Sequence, residues 1–267
     1  MKQVLYLLQL EWLKVRKYRQ FQVLLAFYGL TLPLFTFVIE HMPLPSFVSN
    51  PLMFPNVWQN LGYLSNWLTF FVVGFLSVTM ITNEFSSRTL RQNIINGLPR
   101  RDFFLSKVLF LVLLCLGITI YYWLIATLMG CLHTENIYFD RFTEGFWWAG
   151  RLFLLTLLYA SFGFLLGVVI RRSGVALFLF FTWAMFLERI LRYALHYKIA
   201  KNETMHYYPI NASGDLMPMP VPKMAEGFLN ENGFNLLLQP QTAIIVTSIY
   251  VILFLFISYR LLMTRDL

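Results

Sequence analysis

Hydrophobic residues run along this chain in six stretches of about twenty, each bounded by polar or charged positions, with none of the short alternations or charge-broken stripes of a water-soluble core. The runs are Phe21–Ile39, Leu61–Thr82, Val108–Leu132, Phe146–Ile170, Val175 to about Leu195, and Thr242–Met263. At helical rise each crosses a hydrocarbon layer of about 30 Å, and lipid offers no partner to a bare backbone amide, so each is predicted to be a membrane-spanning helix. The fifth has the shortest uncharged part, which stops at Leu187.

Composition agrees with that pattern. Of 267 residues 58% are hydrophobic and only 13% charged, against roughly 25% charged in soluble domains. An all-α membrane protein of six transmembrane helices follows, with water excluded as its main solvent. Residues 21–267 form the six-helix domain and residues 1–20 a separate N-terminal element. That element lacks a small-residue cleavage site and carries its charge at its C-terminal end, so it is expected to stay attached. Val4, Leu5, Leu8, Trp12 and Val15 fall on one helical stripe, with Lys14, Arg16 and Lys17 outside it. This suits an amphipathic helix lying on the lipid interface, and it also suits a plain basic flank.

Charge sets the expected orientation. With both termini on one side, that side (residues 1–20, 83–107, 171–174 and 260–267) carries 14 Lys and Arg against 4 acids, while the remainder carries 7 against 9. The stretch Glu40–Asn60 has no Lys or Arg. The positive-inside rule then places both termini in the cytoplasm, and a bacterial inner membrane is the expected location. Topology accounts for the net charge of +8, so nucleic acid is not an expected partner.

The most informative polar stretch is residues 83–107, NEFSSRTLRQNIINGLPRRDFFLSK, between spans two and three. Asn83 is expected to cap a helix with Glu84 in its first turn that runs through Leu90 and Ile94. Gly97 followed by Pro99 is a stop signal, and the next helix opens near Arg101 with Asp102 in its first turn. A short helix across the cytoplasmic mouth results, with Phe85, Leu90, Ile94 and Ile95 as its apolar side. On the residues alone, an amphipathic connector at headgroup level explains it as well as a docking element.

The arrangement Glu84-Phe85-x-x-Arg88-Thr89-Leu90-Arg91-Gln92-Asn93, then Gly97-x-x-Arg100, with Lys107 entering the next span, resembles the first cytoplasmic loop of ABC-2 type transporter permeases. The opening LEWLKVRKYRQF is similar to that family's usual start, and the six-span plan matches over the whole length. One departure is Arg88, which stands where many members carry Gly before the Thr. The resemblance implies an ABC-2 (type V exporter-like) permease architecture in which this loop is a coupling helix docking on a separate ABC ATPase subunit. Its candidate contacts are Glu84, Phe85, Arg88, Thr89, Leu90, Arg91, Gln92, Asn93, Gly97 and Arg100.

No G-x-x-x-x-G-K-[ST] phosphate cradle is present, so ATP and Mg are expected on the partner subunit and no cofactor on this chain. The chain is not expected to be an enzyme, since it has neither G-x-S-x-G nor H-E-x-x-H, and no catalytic or metal-binding residue is assigned. Cys115 and Cys131 lie about 24 Å apart at helical rise and cannot bridge. Six spans are half the usual complement, so a homodimer or a heterodimer with a second permease is expected. Gly163, Gly167 and Gly117 are candidates for its close-packed face or for packing within one protomer.

Beyond span four, Glu188 and Arg192 are spaced to pair on one helix face, as substrate-pathway candidates or as charges snorkelling to the interface. A long external loop, about 196–240, is expected to re-enter the membrane around Phe228–Leu238, and carries glycosylation sequons at Asn202 and Asn211. Pro33 is a candidate kink in span one. Aromatic walls with few intramembrane charges favour an amphipathic or apolar exported substrate over a small ion. A non-transporting membrane sensor or assembly factor associated with an ATPase is the alternative.

Overall fold

The computed structural model describes residues 2–41, 50–135, 139–192, 194, 203–220 and 237–264. The N-terminal element is a helix, α1 (Lys2–Val15), followed after a short turn by α2 (Arg19–Glu40), the first span. Span 2 is α3 (Asn56–Ser86), then comes a short helix α4 (Thr89–Ile95), and span 3 is α5 (Arg100–His133). Span 4 is α6 (Phe139–Ile170). Span 5 begins as α7 (Ser173–Thr182), widens into one π-helical turn (Trp183–Leu187) and closes as α8 (Glu188–Leu191). A short α9 (Pro209–Gly214) precedes span 6, α10 (Pro240–Thr264). Among the described residues, six helices are long and apolar enough to cross a membrane.

Each span extends past its hydrophobic run, because a helix satisfies its own backbone whether lipid or headgroups surround it. The largest extension is at span 3, whose helix starts eight residues before Val108, and in span 2 the helix continues four residues beyond Thr82 and takes in Asn83 and Glu84. Re-entry around Phe228–Leu238 falls almost wholly outside the described residues, as do Asn202 and most of the 196–240 loop. Within the described part, α9 is the segment that packs back into the bundle, against α6 and α10.

Lipid tails are as apolar as leucine, so span association relies on close packing and internal hydrogen bonds. The tightest pair is α3 with α6, the two most buried spans. A Cβ on Gly163 would sit 2.1 Å from Ser77 Oγ, one on Gly167 2.1 Å from Ile81 Cγ2, and one on Gly145 2.4 Å from the Trp58 ring. The Gly163–Gly167 stripe therefore serves packing within one protomer, the second of the two uses expected of it. Gly117 faces open space.

Pro33 shows how the bundle satisfies its backbone. It lies inside α2 and has no N–H for the Gly29 carbonyl one turn earlier. The Tyr121 hydroxyl of α5 donates to that carbonyl at 2.6 Å instead. The proline thus creates an acceptor that ties span 1 to span 3.

Candidate coupling site

Helix α1 is laid against α5, and α4 packs on the end of α3. The stretch between spans 2 and 3 does not begin with a capped helix at Asn83. Glu84 and Asn83 lie in the last turn of α3, because the charge of Glu84 is matched where it stands and the helix has no cause to stop before Ser86. Arg88 then turns the chain, with φ 55° and ψ 15°. That left-handed conformation costs a non-glycine residue roughly 1–2 kcal/mol, which accounts physically for the family's glycine at this position. Helix α4 closes on Gly97, at φ 94°, whose N–H donates to Ile94 O while the Leu98 N–H donates to Asn93 O. This is a Schellman end, and only glycine adopts it without strain. Span 3 then starts at Arg100, with Asp102 in its first turn.

Beneath this loop lies a buried ionic cluster. Lys107 Nζ is 2.5 Å from Glu11 Oε2 and 2.6 Å from Glu84 Oε1, with its side chain 1% exposed. Lys14 Nζ closes the group at 3.3 Å from Glu84 and 3.7 Å from Glu11. Thr89 donates a short hydrogen bond to the other Glu84 oxygen. Two lysines and two glutamates cancel in charge, so the cluster is neutral as a whole while no member is tolerable alone. Burial opposes the Lys14 charge, but Glu11 and Glu84 outweigh it and hold its pKa above the usual lysine value. Geometrically the cluster pins three elements together: α1 through Glu11 and Lys14, span 2 through Glu84, span 3 through Lys107.

The expected contact residues divide between two faces. Leu90 is buried against the core, and Glu84 is 2% exposed with its charge already met. Phe85 is half-buried beneath the Arg171 guanidinium, which sits 5.0 Å from its ring. Thr89 and Asn93 are half-buried and engaged in the bonds just described. Arg100 Nη1 donates to the Leu262 and Met263 carbonyls at 3.1 and 3.0 Å, which satisfies the end of span 6 from the start of span 3. Arg88, Arg91, Gln92 and Gly97 are exposed, and so is Ile95, at 73%. One basic and polar face with a single apolar residue therefore points away from the bundle.

Glu11, Lys14 and Lys107 escaped the list of candidate residues, although their spacing carries a signal. Glu11 stands three residues after Leu8 and four before Val15, inside the apolar stripe of α1. Lys107 stands among Phe103, Phe104, Phe110 and Leu111, all buried at helical spacing. A charge at an i, i+3, i+4 apolar position is one that must meet an opposite charge.

At the far end, Glu188 and Arg192 do not pair with each other among the described residues. Both turn to α9: Glu188 accepts the backbone N–H groups of Asn211 at 2.7 Å and Ile210 at 3.2 Å, and Arg192 Nη1 donates to Asn211 Oδ1. A short helix inside the bundle has orphan amides at its start, and the Glu188 carboxylate caps them. The Asn211 amide nitrogen donates to His206 O and Asp215 Oδ2, so this sequon is engaged within the fold. No group of three or more His, Cys, Asp or Glu able to hold a metal occurs among the described residues.

Six helices long and apolar enough to span, with a first helix and a polar loop tied to spans 2 and 3 by one ionic cluster, define an integral, multi-pass membrane protein. The family model for ABC-2 family transporter protein matches residues 7–195, which covers all but the first turns of α1, the ionic cluster and the whole loop between spans 2 and 3. The chain belongs to this family and is a transporter permease subunit. No curated protein matches it.

Proposed function

We propose that this permease receives mechanical work from a separate ABC ATPase through α4, and uses it to export an amphipathic or apolar substrate. In this reading the basic end faces the cytoplasm of a bacterial inner membrane. ATP and Mg reside on the ATPase, and a second permease, identical or related, completes the pathway. The observation that carries it is the junction itself. Helix α4 joins spans 2 and 3 through a one-residue corner and a Schellman turn, and its inner side is tied to both spans and to α1 by the Glu11–Lys14–Glu84–Lys107 cluster. A push on α4 then moves α1 and the two spans as one body, as rigid domain motions require. The face offered to the ATPase is Arg88, Arg91, Gln92 and Ile95, with Ile95 as its apolar anchor.

The test is site-directed crosslinking in the assembled transporter with cysteine placed at Ile95 and, separately, at Leu90. Crosslinking to the ATPase from position 95 but not from position 90 is the expected result. Equal or absent crosslinking from position 95, with an intact complex, would overturn it.

A further inference from the structure

Away from the coupling loop, spans 2, 4 and 5 and α9 surround an open cavity of about 170 Å³. By the measure in which one water needs about 10–15 Å³, that admits a group of several heavy atoms. Glu188 stands about 22 Å from the start of span 5 at helical rise, so the cavity lies in the far part of the layer. One wall is aromatic, built from Trp67, Phe70 and Tyr159. The other carries two carboxylates and two guanidiniums, and these are not equally committed.

The carboxylates are already engaged by donors. Glu188 accepts two backbone amides of α9, and Asp215 Oδ2 accepts the Leu238 N–H at 3.1 Å and the Asn211 Nδ2 at 3.2 Å. The guanidiniums keep unspent donors. Arg192 uses Nη1 on Asn211, while its Nε is buried without a partner among the described residues. Arg189 lies exposed at the rim with its guanidinium 6.0 Å from the Trp67 ring, and among the described residues no carboxylate stands within 4 Å of it. Each guanidinium has five N–H donors and no acceptor. Because the two carboxylates are met by α9 and by the Leu238 amide, the spare guanidinium donors are left to an entering acceptor that carries negative charge.

The geometry points to this cavity as the receptor for the oxyanion head, a phosphate or carboxylate, of an amphiphile. Arg189 and Arg192 hold the head, and the Trp67–Phe70 wall takes the adjoining apolar segment. Glu188 is then a positioning residue, which holds α9 and through Asn211 aims Arg192. The inference deepens the export reading and rests on it for the role of the bound molecule as cargo, whereas binding itself is tested without the ATPase.

The experiment titrates dodecyl phosphate into purified permease in a neutral maltoside detergent and follows tryptophan fluorescence, with Trp67→Phe assigning the signal to the cavity. Saturable binding is expected, weakened about tenfold or more in Arg189→Gln, as loss of a charge-assisted hydrogen bond implies, and less in Arg189→Lys. Arg189 is exposed, so the variant retains the fold, which its unfolding midpoint verifies. Competition by phosphatidylglycerol nanodiscs would support a bilayer lipid as the source of the head, and its failure a free amphiphile. Unchanged affinity in Arg189→Gln, tighter binding of dodecyltrimethylammonium, or inorganic phosphate competing as well as dodecyl phosphate would each overturn the assignment. Arginine-dependent binding with no stimulation of the ATPase in the assembled transporter would remove the cargo role and leave the site standing.

Discussion

Replacing Lys107 by methionine removes the cation shared by Glu11 and Glu84 while keeping the unbranched stem that packs among Phe103, Phe104 and Phe110. Both carboxylates approach Lys107 Nζ within 2.6 Å, so they stand no more than about 5 Å apart. Two like charges at that separation repel by about 3 kcal/mol at an effective dielectric of about 20. Lys14 remains, yet its contacts are the longer pair at 3.3 and 3.7 Å, and its side chain is 36% exposed, so it offsets only part of the loss. Breaking a buried pair by deleting one partner costs about 3–5 kcal/mol, and the same range is expected here. The assay is unfolding in detergent, followed by helical circular dichroism, with protease sensitivity at the α1–α2 turn reporting release of α1. The triple change Glu11→Gln, Glu84→Gln, Lys107→Met removes every unmatched charge except Lys14 and should recover most of the stability, since an apolar replacement for a whole ion cluster is often neutral. A Lys107→Met protein within about 0.5 kcal/mol of wild type, or a triple variant no better than the single one, would refute the view that charge matching holds α1 to the spans.

Three further substitutions probe packing and charge. Gly163→Ala places a Cβ 2.1 Å from Ser77 Oγ and 2.7 Å from the Gly74 carbonyl, so it should cost about 1–3 kcal/mol, while Gly117→Ala, with nothing within 4 Å, should be close to neutral; equal unfolding midpoints would contradict the assignment of the stripe to span 2–span 4 packing. Asp215 has its carboxyl pushed by burial from 3.8 up to about 6, against the pull of the Leu238 amide, Arg192 and Asn211. A raised acid favours the folded state when protonated, so its contribution is complete below about pH 4 and is lost as the pH rises through 6. Asp215→Asn should therefore gain about 1–3 kcal/mol over wild type at pH 8 and nothing at pH 4, and a pH-independent difference would count against it.

The long apolar runs were enough to determine that the chain is helical and that, among the described residues, six helices are long and apolar enough to cross a membrane. Hydrophobic length against bilayer thickness, and the absence of water to satisfy a backbone, leave no other outcome for such segments. The far end of the loop between spans 2 and 3 was legible in the same way, since Gly97, Pro99 and Asp102 act locally on the backbone, whereas its start was not, because span 2 runs on through Asn83 to Ser86. What only the tertiary structure decided is where each polar side chain ends. Glu84 reads as a surface residue of a loop, yet it is buried because Lys107 of span 3 and Lys14 of α1 reach it. Glu188 and Arg192 read as a helical pair, yet the amides of α9, arriving from beyond the fifth span, draw Glu188 away from its neighbour. Pairing of this kind depends on which distant element supplies the matching donor or charge, and a burial cost of several kcal/mol for an unmatched group makes that partner decisive even though no local pattern names it.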